Sequence, residues 1–279
     1  MSTRPGSRAP AVAGRFYPDD PEELEALVQG LLAEGARGDG SPVPPVALVA
    51  PHAGYVYSGP VAGSAYRLVV PRRGNVRRVV ILGPSHYVAF RGLALPESVA
   101  FDTPLGEHPV DEEGAAALEA HPLVQRFQRA HTQEHSLEVQ LPFLRVALGP
   151  VPILPLVTGE AEAEGIADVL AAVWDPETLV VVSSDLSHYL SYDRAREADR
   201  RTADAVERLE GDALGPHDAC GVGALRGLLE AARRRKLTAR CVDLRNSGDT
   251  EGSRGRVVGY GAFAFWEPGA ESAAADLGR

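Results

Sequence analysis

The chain has 279 residues and a formal net charge of −10, from 28 basic and 38 acidic side chains. A chain this long buries roughly three-quarters of its unfolded surface and folds without disulfides or metal staples. Hydrophobic residues at 44% and charged residues at 24% exclude disorder, collagen and coiled coil. The acidic balance, with no basic stripe, argues against nucleic acid as a partner. No apolar run approaches a membrane span, and the start MSTRPGSRAPAVAGRFYPDD lacks a signal-type apolar region. The expectation is a cytoplasmic protein with no membrane partner. Two cysteines, Cys220 and Cys241, do not make a secreted disulfide framework.

Residues 1–11 and 267–279 are small and polar, and read as flexible tails around one α/β domain over 12–266. The segment 18–35 carries apolar residues at helical spacing with acids in its first turn. A Gly/Pro linker, GARGDGSPVPP, follows. Short apolar runs at 46–50, 76–82, 151–157 and 178–184 then read as buried strands. Helical patterns at 58–70, 111–120, 136–148, 161–173, 193–210 and 219–235 alternate with them. Segments 237–248 and 256–266 complete the sheet. That alternation predicts a mostly parallel central sheet flanked by helices on both faces.

Three strand candidates run into a histidine within a few residues. VALVA leads to His52, VVILGPS to His86, and TLVVVSSDLS passes Asp185 to reach His188. Ligands in open α/β sheets collect beyond the carboxyl ends of the strands. A single loop histidine more often hydrogen-bonds backbone than works, but three in the same topological slot predict a shared site. Cys220 joins them at the start of a helical pattern, where Asp218 reads as the N-cap and the helix end favours a thiolate. Two imidazoles and a thiolate bind a divalent metal with positions left open. Cys241 alternates within a strand and reads as core. His135, beside Glu134, opens a helix that Pro142 is expected to kink; lining the pocket and merely preceding a Ser136 cap are equally good readings. Tyr55 and Tyr57 stand beside His52 as substrate contacts or packing rings, and Asp249 lies in a polar turn that contacts substrate or only reverses the chain. His108, His121, His131 and His217 read as surface residues.

VAGRFYPDDPEEL, APHAGYVYSGPVAGSAY, ILGPSH, EHSLEVQLPFL, VVSSDLSHY, ACG and NSGDTEGSRGRVVGYGAFAF follow one another along the chain. In this order they resemble the Memo-like family, whose bacterial and archaeal members are often called AmmeMemoRadiSam system protein B. The resemblance spans about residues 12–266. It implies a fold similar to the class III extradiol ring-cleavage dioxygenases. It also places metal-site positions on His52, His86 and Cys220, with Asp185 and His188 beside them. The dioxygenases hold iron(II) with two histidines and a carboxylate; a thiolate in the third place favours copper or zinc more and puts ring cleavage in doubt.

The leading expectation is a metal-dependent oxidoreductase using iron(II) or copper. In it His188 is the catalytic acid/base, and Asp185 orients His188 or adds a ligand. One alternative is a non-catalytic adaptor that binds a peptide or small-molecule ligand. A second is a zinc-dependent hydrolase. The family label implies radical-SAM system partners, and the final strand offers an edge for a homodimer.

Overall fold

The structure is a computed structural model that describes residues 6–35 and 43–269; residues 1–5, most of the Gly/Pro linker and 270–279 lie outside them. The chain opens with β1 (Ser7–Arg8), α1 (Pro21–Glu34), β2 (Ala47–Ala50), α2 (Tyr55–Arg67) and β3 (Arg78–Pro84). Four short strands follow, β4 (Leu93–Leu95), β5 (Ala100–Thr103), β6 (Gly106–Pro109) and, after α3 (Glu112–Glu119), β7 (Val124–Arg126). Next come α4 (Gln128–Thr132), α5 (Leu141–Leu148), β8 (Ile153–Thr158), α6 (Ala163–Val173), β9 (Thr178–Ser183) and β10 (His188–Leu190). The last elements are α7 (Tyr192–Glu207), α8 (Val222–Arg235), β11 (Thr238–Asn246) and β12 (Val257–Trp266).

Nine strands form the main sheet in the order β10-β12-β2-β9-β3-β8-β4-β7, with β11 on β12. Its centre is parallel, because β2 pairs with β9, β9 with β3, and β3 with β8 in the same direction. Its flanks are not: β12 runs antiparallel to β2, β10 and β11, and β4 antiparallel to β8. The sheet is therefore mixed rather than mostly parallel. Apolar runs report burial on both faces but carry no record of strand direction.

The central strands sort their side chains by parity. Val79 and Ile81 of β3, with Leu179 and Val181 of β9, join one core with residues of α1, α2 and α5. Val80 and Leu82, with Val180 and Val182, join a second core with residues of α3, α6, α7 and α8. Successive residues of a strand face opposite ways, so a continuous apolar run serves both layers. Asp20 caps α1 by accepting from the Glu23 amide at 2.9 Å, with Pro21 in the first turn.

Several details depart from the sequence reading. Residues 6–11, read as tail, carry β1, which pairs with β5, and the buried Arg8. Arg8 gives its guanidinium to Glu138 at 2.7 Å and to the carbonyls of His131 and Glu134; paired on every side, the charge is tolerated inside. Pro142 does not kink a long helix. It sits in the first turn of α5, after a 3-10 turn over 138–140, where its missing N–H costs nothing. His108 and His131 are buried, not surface residues. His131 Nε2 donates to the Ala94 carbonyl at 2.9 Å, and His108 lies opposite Phe101 between β5 and β6. No helix of the described residues is long and apolar enough to cross a membrane.

Candidate metal centre

β2, β9 and β3 are adjacent and parallel, so their carboxyl ends open side by side. Two residues past β2 stands His52, two past β9 Asp185, and two past β3 His86. Cys220 arrives from the other direction, two residues before α8. One ligand nitrogen each of His52 and His86 and Sγ of Cys220 all lie within 4.8 Å of one another. The structure thus brings together the three residues expected to bind metal.

Each imidazole is held so that one nitrogen faces inward. His52 Nδ1 is 2.8 Å from Ser183 Oγ. The Ser183 hydroxyl donates its single proton to the Ser136 carbonyl at 2.6 Å and also accepts from Gln140 Nε2 at 2.7 Å. It therefore meets His52 only as an acceptor, which puts the proton on Nδ1 and leaves the Nε2 lone pair, 3.3 Å from Cys220 Sγ, free. Burial, with the neighbouring His86 charge, pushes the His52 pKa down to about 3, so the ring is neutral.

His86 is held by Glu134 through its amide at 2.7 Å and its Nδ1 at 2.8 Å. The same carboxylate accepts from the His135 and Ser136 amides at 2.9 Å each. Burial alone would raise the Glu134 pKa, but the His86 side-chain and amide contacts and the Ser136 amide pull it down to about 2. Burial opposes charge on His86, yet Glu134 outweighs it and raises the His86 pKa. The ligand-type atoms of His86, Glu134 and His135 also cluster. With four hydrogen bonds already on its two oxygens, Glu134 acts as the orienting partner of His86. Sequence reading left this acid beside His135; nothing in the local spacing ties residue 134 to residue 86.

Cys220 departs from its expected chemistry. Its amide donates to the Asp185 carbonyl at 3.1 Å, and the Asp185 amide points at Sγ from 3.3 Å. Burial, with the nearby Asp185 charge, pushes the thiol up to about 12 rather than down. The first turn of α8 is capped by Gly221, without a side-chain cap, while Asp218 accepts from the Gly215 amide. The free thiol is thus protonated at neutral pH, and a cation bound there would have to displace that proton.

Asp185 was expected to orient His188 or add a ligand. Its Oδ1 accepts the His52 amide at 2.8 Å, and burial raises its pKa despite that contact. His188 Nδ1 donates to the Leu186 carbonyl at 2.8 Å; because a carbonyl only accepts, Nε2 is the nitrogen left available. His135 stacks on His86 with ring centroids 4.7 Å apart and planes 18° apart, and burial with the His52 charge lowers its pKa to about 4.

His52, His86, His135, Asp185 and His188 line one cavity of about 620 Å³, together with Tyr57, a volume usual for small-molecule sites. Tyr55 does not line it. Its ring is buried against Tyr17 and Phe143, and its hydroxyl donates to the Val139 carbonyl at 2.7 Å. Asp249 is also elsewhere: it accepts the Asn246 amide and the Tyr192 hydroxyl and borders a separate cavity beside α7. Its neighbour Ser247 does reach the site cavity. Cys241, read as core, is only half-buried on β11, where it packs against the second core.

One solved structure with a similar fold is an uncharacterized protein from Escherichia coli K12, at TM-score 0.50 and 15% identity. It covers 77% of this chain and 98% of that one. Sequence relatives are more similar. A MEMO1 family protein of Aquifex aeolicus is 38% identical, over 92% of this chain and 98% of that protein. One of Methanopyrus kandleri is 36% identical over 92% and 98%, and one of Desulfurococcus amylolyticus 34% identical over 93% and 99%. The family model for Memo-like protein matches residues 8–264, and the chain belongs to the Memo-like family.

Proposed function

We propose that the chain is a metal-dependent oxidoreductase acting on a small molecule, on a scaffold of the class III extradiol dioxygenase type. The observation that carries this reading is the convergence of His52, His86 and Cys220 within 4.8 Å, with both histidines pre-set in their tautomers by Ser183 and Glu134. Two imidazole nitrogens and a sulfur suit iron(II) or copper, and also zinc. A redox-active ion held there would supply Lewis acidity and one-electron chemistry. The remaining roles belong to the protein. His188 Nε2, held toward the cavity by the Leu186 carbonyl, accepts or returns a substrate proton. His135, neutral and stacked on His86, walls one side of the cavity.

The test is anaerobic reconstitution with iron(II), copper(I) and zinc, read by metal analysis and spectroscopy. Stoichiometric iron or copper in the native chain, lost in His52→Ala and Cys220→Ala, is the expected result. Stoichiometric zinc alone would replace this reading with hydrolysis by metal-bound water. Failure to hold any ion, or native uptake by Cys220→Ala, would overturn it.

A further inference from the structure

We propose that the cavity beside the metal centre takes a small anion with a planar, apolar body, and that Arg256, stacked on Tyr189, is the residue that selects its negative charge, with Arg15 as a second contact. This rests on the reading above, in which the cavity receives the substrate.

The charge of the wall is the first observation. Apart from histidines, the charged side chains lining the cavity are Arg15, Arg256 and Asp185. Asp185 is buried and already bound to the His52 amide. Both arginines are exposed. Many exposed arginines of this acidic chain sit on carboxylates, as Arg77 does on Asp175 and Arg234 on Asp168. Among the described residues, the guanidinium groups of Arg15 and Arg256 have no such partner. The wall therefore presents positive charge at the mouth of the site in a protein whose net charge is −10, and a focused field of that sign attracts anions.

The second observation is the platform under Arg256. Its guanidinium lies 5.2 Å from the centroid of the Tyr189 ring. Tyr189 has φ +61° and is 63% exposed. A bulky side chain in left-handed backbone is strained, and such strain collects at functional sites. Here little burial offsets it. The pairing of β10 with β12 is irregular between His188 and Leu190, at the position that turns Tyr189 outward; bulges of this kind re-aim side chains beside active sites. His188, the proton acceptor proposed above, is the preceding residue and lies opposite Val258 on the strand that follows Arg256. The stack is thereby tied to the reacting end of the cavity.

The third observation is apolar. Seven large hydrophobic side chains are exposed among the described residues, and four of them, Val56, Tyr57, Tyr87 and Tyr189, border this cavity. Exposed apolar groups concentrated on one mouth mark a binding surface. Rings beside a guanidinium suit a planar body carrying a carboxylate or similar anion.

The experiment titrates the full-length chain, with and without reconstituted iron(II), with naphthoate and its neutral isostere naphthamide, followed by fluorescence. The acid is expected to bind about tenfold tighter or more, as charge-assisted hydrogen bonds imply. Arg256→Gln should erase that preference and Arg15→Gln should reduce it. Tyr189→Gly should weaken naphthoate binding while keeping or raising thermal stability, because glycine accepts the backbone conformation. Equal affinity for acid and amide, no binding of either, or an undiminished preference in Arg256→Gln overturns the proposal. If the native chain holds no metal yet keeps the preference, the oxidoreductase reading fails and this inference stands; metal uptake without the preference is the converse.

Discussion

Sγ of Cys220 lies 3.3 Å from Nε2 of His52, although 168 residues separate them in the chain. The contact forms because Ser183 turns His52 so that its lone pair, not its N–H, faces the sulfur. Ser183→Ala should therefore lower metal affinity by about 10–100-fold, the usual cost of losing a partner that orients a ligand. Competition with a chelator measures this; an unchanged Kd would show that the tautomer is set by something else.

Gly221 bears on the same contact. A Cβ there would sit 2.8 Å from the Ser184 Cβ and 2.9 Å from the Ser183 carbonyl oxygen. Neither neighbour is a flexible side-chain end, so Gly221→Ala must shift the segment that carries Cys220. Overpacking of this kind costs about 1–3 kcal/mol. We expect a lower melting temperature together with weaker metal binding, and a variant that keeps native Kd would separate Gly221 from the site.

Arg8 and Glu138 form a buried pair at 2.7 Å, with side chains 3% and 0% exposed. Glu138 also accepts from the amides of Ala11 and Val12 and from the Tyr17 hydroxyl, which fastens the loop bearing Arg15 and Phe16 to the cavity. Arg8→Ala strands the carboxylate and should cost about 3–5 kcal/mol in urea unfolding. Adding Glu138→Gln should recover part of that loss. Wild-type stability in the single variant would mean that the N-terminal loop is not held by this pair.

His108 and His131, neither of which lines the cavity, give a separate pH dependence. Burial, aided by the charges of Arg145 and Arg8 respectively, pushes their pKa values from 6.5 down to about 3 and about 4. Below pH 6.5 the unfolded chain binds protons that the folded chain refuses. Stability is therefore full above that pH and falls as the solution is acidified, by about 1.4 kcal/mol per pH unit for each group. The combined variant His108→Leu and His131→Gln should flatten the fall between about pH 6 and pH 5. An equal slope in that variant would assign the acid sensitivity to other groups.

The features legible in the residues alone were local ones. Runs such as VVIL and TLVVV are apolar on both faces, which requires strands covered on both sides, and each histidine two residues past a strand end was visible in the same way. Strand direction, hydrogen-bond partners and depth were decided only in three dimensions. β12 reverses against β2, and β4 to β7 are too short to show a period. Ser183 meets His52 across 131 residues and Glu134 meets His86 across 48, so no spacing announces either pair. The Cys220 thiol shows the limit most directly. A helix end read from sequence favours its thiolate, but burial and the Asp185 charge reverse the sign, because the cost of desolvating a charge depends on everything packed around it.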